Sequence, residues 1–299
     1  MDVVSDAISA VRTGRPSSNR LRVDGSWCTR LAPYAGAGFH VVLAGGCWLV
    51  PDTGGEPVTL GAGDVVLLPH GAGHVLADSP GDTARAVPFE EMRRPAGGGD
   101  GREVELLCGK YRLDRSRTHP LMAELPEVVH LPNRVGRHPE LRSAVDLLAN
   151  ELDERRPGAC LALPSLLDLL LIYMVRAWMS EAETGSWPSV LSDPVTTAAL
   201  RALHSDPAAP WTNDRLAAAA GVSRATLARR FTALVGRAPM AYLTWWRLTL
   251  AATRLRDTDA SLAAVAREAG YGSPYALSHA FSREFGVTPG KYRVSAGSS

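Results

Sequence analysis

The sequence predicts a two-domain α+β chain: an N-terminal β-barrel or sandwich with flanking helices C-terminal to it, then an all-α module built on two helix-turn-helix units. Three observations carry this. Short β-branched runs punctuated by glycine and proline fill about residues 27–87. Apolar residues at helical spacing take over from about His119. A repeat with four identities in register occupies the C-terminal third. A length of 299 residues accommodates two ordinary domains, and a chain that is 45% hydrophobic and 21% charged is too apolar for a disordered polymer.

In the first domain FHVVLAG, CWLVP and PVTLGAGDVVLLPHGAGHVLAD read as strands separated by turns. After His119, PLMAELPEVVHL, HPELRSAVDLLANELDERR and ACLALPSLLDLLLIYMVRAWMSE read as helices. The last holds the longest apolar stretch, Leu161 to Met179, yet Pro164, Asp168 and Arg176 inside it argue against a membrane span. It reads as a buried or dimerising helix, and Leu166, Leu170, Tyr173 and Met174 at helical spacing make a homodimer the expectation. ETGSWPSVLSDP reads as a linker. The expected boundaries are 1–118 for the β-rich domain, 119–182 for the helical dimerisation region, 183–195 for the linker and 196–299 for the helix-turn-helix module.

Thirty-two basic against 31 acidic side chains give a formal charge of +1, which argues against a nucleic-acid partner until the chain is divided. Residues 196–299 carry thirteen Lys or Arg and six Asp or Glu, a charge of +7, which leaves −6 on the remainder. The four cysteines, Cys28, Cys47, Cys108 and Cys160, form no CxxC pair, and the N-terminal residues have no long apolar run. A reducing cytoplasm is the expected location.

In the repeat, a phenylalanine is followed by glycine at +5, proline at +8 and tyrosine at +11: Phe231, Gly236, Pro239 and Tyr242, then Phe281, Gly286, Pro289 and Tyr292. Before each phenylalanine an alanine-rich helix ends at Gly221 or Gly270, and Ser223 or Ser273 stands where the next helix needs an N-cap. Leu227 and Phe231, and Leu277, Phe281 and Phe285, fall on one face of the second helices. The other face carries Arg224, Ala225, Ala228 and Arg229 in the first unit, and Tyr275, Ala276, Ser278, His279, Ser282 and Arg283 in the second. Arginines and hydroxyls on that stripe suit guanine edges and phosphates, so double-stranded DNA, a promoter operator, is the expected partner. An ordinary helical bundle would also have a solvated polar face. Two units in register with a +7 charge make that reading the weaker one.

RLTLAATRLRDTDASLAAVAREAGYGSPYALSHAFSREFGVTPGKYR resembles the C-terminal signature of the AraC/XylS transcriptional regulators, over about residues 196–294. The resemblance implies a seven-helix domain with recognition helices from Ser223 to Val235 and from Pro274 to Phe285. The family's base contacts would fall on Ala225, Ala228 and Arg229, and on Pro274, Tyr275 and His279. Alanine at 225 and 228, and histidine where arginine is common at 279, depart from many relatives and leave the operator sequence open.

GDVVLLPHGAGHVLAD resembles the second cupin motif, with Gly63, Pro69, Gly71 and His74 in place, and FHVVLAGGCWL resembles the strand of the first, without its His-x-His and glutamate. CGKYRLD and LPSLLDLLLIYMVRAWM extend the similarity to a cupin-bearing subgroup of AraC-type regulators. The first domain is therefore expected to be a cupin-like sensor. His40, His70 and His74, with Cys108 or Cys28, are ligands of the type zinc favours, so a zinc ion is a candidate cofactor. His70 as a solvated loop residue and His40 as a satisfied core histidine is the plainer alternative. Cys28 and Cys108 are redox candidates, whereas Cys47 and Cys160 lie in apolar surroundings. The whole reads as a one-component regulator sensing a small molecule, metal or oxidant, rather than an enzyme. The rival, a metal-dependent cupin enzyme with an appended DNA-binding domain, lacks the complete ligand set.

Overall fold

The computed structural model describes residues 3–12, 14–81, 83–92, 103–113, 119–154, 157–182 and 186–297. They fall into two compact units, and the division does not follow chain order. One unit is the β-rich region with two long helices. The other gathers the C-terminal helices together with two segments from far upstream, α1 (Val3–Val11) and α2 (Pro120–Ala123).

The β-rich unit has two five-stranded sheets. The first has the order β1 (Ser17–Val23), β9 (Val104–Arg112), β3 (Gly36–Ala44), β6 (Val65–Leu68), β10 (Val129–Leu131). The second runs β5 (Val58–Gly61), β4 (Gly46–Pro51), β7 (His74–Ala77), β2 (Cys28–Leu31), β8 (Val87–Pro88). All pairings are antiparallel except β2 with β8. Their inner faces share one core in which Leu21, Val42, Leu49, Leu60, Val66, Leu76 and Leu106 are buried. Strand β3 is buried on both faces from Gly36 to Val42, so its sequence reads as a continuous apolar run rather than an alternation. Val42 enters the shared core. On the opposite face Phe39 packs against Tyr111, with ring centroids 5.5 Å apart. Gly109 makes this possible, because a Cβ there would collide with the Phe39 ring.

Behind that face lie α3 (Pro139–Glu154) and α4 (Ala159–Glu181), packed on each other. The Tyr111 hydroxyl donates to the Leu167 carbonyl at 2.6 Å, and Arg12 pairs with Asp168 at 2.7 Å. Helix α4 is long and apolar enough to cross a membrane by composition alone. The contacts of Tyr111 and Asp168 place it against this unit's own sheet. Leu170 and Met174 are fully buried within the protomer. Of the four residues expected to form a dimer surface, only Leu166 and Tyr173 retain exposure.

The helical unit adds α5 (Ser186–Ser192), α6 (Pro194–Ser205), α7 (Asn213–Ala219), α8 (Arg224–Val235), α9 (Pro239–Asp257), α10 (Leu262–Glu268), α11 (Pro274–Phe285) and α12 (Pro289–Gly297). The expected linker over 183–195 is instead largely helical from Ser186 on, because Trp187 and Val190 are completely buried. The boundary expected at 118 shifts for a similar reason: Val3, Ala7 and Ile8 of α1 are buried, and α1 packs on α6 and α9. His204 Nδ1 donates to Asp6 Oδ2 at 2.9 Å, the Tyr242 hydroxyl donates to His204 Nε2 at 2.8 Å, and His119 Nε2 lies 3.3 Å from the same hydroxyl. Trp187, Tyr242, Trp245 and Trp246 surround His119.

Burial, reinforced by the neighbouring His204, holds the His119 imidazole well below its ordinary 6.5, so the ring is neutral in the folded chain. Below about pH 6.5 the unfolded chain binds a proton that the folded one refuses. The stability involved is therefore intact above that pH and falls as pH drops, by up to ~1.4 kcal/mol per pH unit. His119→Gln cannot titrate and is expected to flatten the slope of urea-midpoint stability against pH by that amount between about pH 6.5 and 5.5. A slope equal to wild type would mean that His119 protonates in the folded protein.

Candidate functional site

The two helix-turn-helix units are built by the same local devices. Gly221 and Gly270 take φ of +67° and +73°, the left-handed conformation that turns the chain between α7 and α8 and between α10 and α11. Ser223 Oγ then accepts from the Thr226 N–H at 3.2 Å, and Ser273 Oγ from the Ala276 N–H at 3.1 Å. Both serines expected at the interface are thus N-caps that fix the start of each second helix. The repeated phenylalanine and tyrosine meet edge to face in each unit: Phe231 with Tyr242 at 5.7 Å and Phe281 with Tyr292 at 5.3 Å. That contact accounts for the eleven-residue spacing.

Leu227, Phe231 and Val235 of α8, and Leu277 and Phe281 of α11, are buried. This leaves Arg224, Ala225, Ala228 and Arg229 exposed on α8, and Pro274, Tyr275, His279 and Arg283 exposed on α11. Tyr275 is 81% exposed, unusual for a large aromatic with no partner surface within the unit. With Ser278, His279, Ser282 and Arg283 it lines a shallow groove along α11. Arg224 lies 4.0 Å from Asp214, whereas Arg229 and Arg283 have no acidic partner among the described residues. Arg230, the next residue on α8, turns away to pair with Asp193 at 3.1 Å. The exposed stripes therefore combine unpaired guanidinium groups, an aromatic ring and small residues, the mixture that meets phosphates and base edges in a major groove.

In the β-rich unit the structure brings two of the proposed metal ligands together. His40 Nε2 and His74 Nε2 are 2.7 Å apart and both rings are buried. His74 Nδ1 donates to the Ala72 carbonyl at 3.0 Å, which leaves its Nε2 lone pair facing His40. Burial lowers the pKa of both histidines, His74 adding to the effect on His40, so both are neutral. The Nδ1 of His40 and the hydroxyl of Tyr34 are buried without hydrogen-bond partners. Tyr34 escaped the sequence reading. Its hydroxyl enters the space left by the missing Cβ of Gly38, and a glycine at that position is the one signal of it in the sequence.

Cys108 stands directly across from His40 in the β3–β9 register, and Cys47 is close enough to raise its pKa beyond what burial already does. Cys47 itself is pushed up to about 12, chiefly by burial and then by Asp64. Both are protonated thiols at neutral pH. His70 does not join the pair: it donates from Nε2 to the Leu125 carbonyl at 2.7 Å, because the turn after β6 carries it away from β7. Cys28 has the strand parity opposite to Leu31 and lines a surface pocket with Trp27, Asp78 and Met92. The two redox candidates thus lie on different sheets, and no disulfide joins them. Among the described residues, no group of three or more His, Cys, Asp or Glu converges as a metal site. As it stands the His40–His74 pair is a hydrogen bond in which His40 Nε2 donates to the His74 Nε2 lone pair, so the two rings fit a zinc-type ion only in part: the ion would replace that shared proton, and His40 would then carry its proton on Nδ1. A third protein ligand would have to come from a side chain that moves, with Cys108 directly across the strand pair.

A family model described as Cupin matches residues 2–180, and one described as Helix-turn-helix domain matches residues 216–295. An AraC-like transcription regulator of Streptomyces lividans is 36% identical, with 98% of each chain covered. The HTH-type transcriptional regulator MtrA of Neisseria gonorrhoeae is 30% identical, with 99% of each chain covered. Among solved structures, the DNA-binding domain of AdpA, a global transcriptional factor in complex with a target DNA, is 36% identical over 36% of this chain and 96% of that one, with a TM-score of 0.34. With exposed polar stripes on two capped second helices and relatives that match over their full length, the chain belongs to the AraC-type transcriptional regulators, DNA-binding proteins that here carry an N-terminal cupin domain.

Proposed function

We propose that this regulator reads its operator through the exposed stripes of α8 and α11 and takes its signal through the cupin domain, acting as a cytoplasmic homodimer. The observation that carries the proposal is the pair of exposed arginines, Arg229 and Arg283, one on each stripe and neither with an acidic partner among the described residues. Ala225 and Ala228 offer methyl groups suited to thymine, and Tyr275 and His279 offer a ring and a donor to base edges. Dimerisation would use the face of α4 on which Leu166 and Tyr173 retain exposure. Signal binding without turnover follows the relatives that match the whole chain, which are regulators.

Operator fragments selected from random DNA by the full-length protein provide the test. Arg229→Ala and Arg283→Ala are each expected to weaken binding by ~1–3 kcal/mol if they read guanine. If they hold phosphates, each lowers the dependence of log K on log salt by about one. Unchanged affinity and salt slope in both variants would remove the stripes from the interface.

For the signal we propose a zinc-type ion held by His40 and His74 inside the barrel. The burial of both rings and the convergence of their Nε2 atoms support it. Such an ion would draw its ligands into one rigid set and lower the pKa of any thiol it recruits. Protein purified without chelator is expected to contain about one ion per chain, and a chelator is expected to lower its Tm. No metal by elemental analysis, together with an unchanged Tm for His40→Ala, would overturn this. The half-buried Cys28, being the accessible redox candidate, supports an oxidant as the second reading. Promoter output that stays oxidant-dependent in Cys28→Ser would exclude it.

A further inference from the structure

A second cavity lies in the β-rich unit, away from the His40–His74 pair. It has a volume of about 300 Å³ and sits between the ends of β3, β6 and β10 and the first turns of α3. Leu43, Val65, Leu131, Leu141 and Val145 supply apolar walls. The floor is fixed by Asp64, which accepts from the backbone N–H groups of Gly61 and Asn133 and from His130 Nε2. Burial alone would raise the Asp64 pKa, but these bonds bring it below the ordinary carboxylate value, so the residue is an anion that clamps the loop before β6 to the chain after β10.

Arg142 projects from α3 into this cavity. Its Nε is buried and has no hydrogen-bond partner, and its guanidinium pairs with no carboxylate among the described residues. The nearby Glu181 is occupied by His138 at 2.8 Å and by Arg137 at 3.5 Å. Asp146, one turn along α3, also lines the cavity but is exposed and makes no ion pair with Arg142. His138 is the only non-glycine residue with positive φ among the described residues, at +50°, and it lines the same cavity. Such backbone strain persists where surrounding structure enforces it, and it clusters at ligand sites. A buried guanidinium donor left unsatisfied is costly, and a planar fork of donors suits a carboxylate.

We propose that this cavity is a binding site for a small organic monocarboxylate, whose carboxylate accepts from Arg142 and whose apolar body fills the space against Leu131 and Val145. The volume is at the lower end of small-molecule sites and exceeds what a bare inorganic anion needs. The carboxylate of Asp146 at the rim disfavours a second negative charge on the ligand. Bound there, the ligand bridges the barrel strands and α3, and so joins the sheet to the helix pair α3–α4. The site is independent of any metal at His40 and His74.

Calorimetric titration of the full-length protein in the presence of chelator, with octanoate, 3-phenylpropionate and the corresponding neutral amides, tests this. At least one acid is expected to bind saturably while its amide does not. Arg142→Gln, which keeps the size and loses the charge, is expected to weaken that binding at least tenfold while circular dichroism stays unchanged. Should Arg142→Gln fail to fold, Leu43→Phe, which fills the cavity from the other wall, is expected to abolish binding. The exposed substitution Asp146→Asn is expected to strengthen it severalfold. No binding by any acid, equal binding of acid and amide, or binding that survives both Arg142→Gln and Leu43→Phe would overturn the assignment.

Discussion

The hydrogen bonds around the Tyr242 hydroxyl hold the helical unit together. Tyr242 belongs to the first helix-turn-helix repeat and packs its edge against Phe231 of α8, yet its oxygen serves His204 and His119 in the interior. Through His204 the same network reaches Asp6. A buried carboxylate and two buried imidazoles are tolerable only if each polar atom has a partner. Residues 3–11 and 119–123 are thus part of the recognition domain's core, although more than a hundred residues of β-rich chain lie between them. Completing that core requires closing two long loops, whose entropic cost grows only slowly with length but which must be closed before the contacts return anything. The helical unit therefore contains long-range pairings that an all-α domain seldom needs.

The β-rich unit obeys a different constraint. Its strand β3 must satisfy two environments at once, a shared inter-sheet core on one face and α4 on the other. Val42 answers the first, and Phe39 with Tyr111 the second. The glycines at 38 and 109 are set by the same pressure, each yielding volume to an aromatic ring from a neighbouring segment. In such a packed interior, the His40–His74 pair and the unsatisfied Tyr34 hydroxyl are among the polar groups that stand where apolar ones would pack more cheaply.

Much of this was legible in the sequence because it depends on local rules. Turn glycines, cap serines and the phenylalanine-tyrosine spacing encode the helix-turn-helix units between Gly221 and Tyr242 and between Gly270 and Tyr292, and alternating apolar runs encode the strands. What was not legible depends on long-range contacts. Nothing near Asp6 announces a partner at His204, and ETGSWPSVLSDP has the composition of a linker although Trp187 anchors the stretch from Ser186 to Ser192 as a helix. His70 has the spacing of a ligand, but the turn that decides where it points is set by Leu125, which approaches from outside the motif. Leu170 and Met174 have the periodicity of a dimer face, and periodicity alone does not say whether a face meets a partner or the chain's own sheet.

Charge is where sequence and structure together say most. The +7 on residues 196–299 is what first favours DNA, but much of it is spent internally. Arg254 pairs with Glu268 at 2.7 Å and Arg256 with Asp257 at 2.7 Å. Arg247 donates to the carbonyls of Pro207 and Ala209, and Arg293 to those of Leu255 and Ala260. Arg215 and Arg237 lie over Trp211 and Trp245. Exposed ion pairs contribute little to stability, but they do remove arginines from the pool that can meet phosphate without first breaking a contact. Arg229 and Arg283 are outside that internal network, on the two faces that their caps and buried phenylalanines turn outward. A net charge says that a domain can approach DNA; the position of its unpaired cations says which surface arrives first.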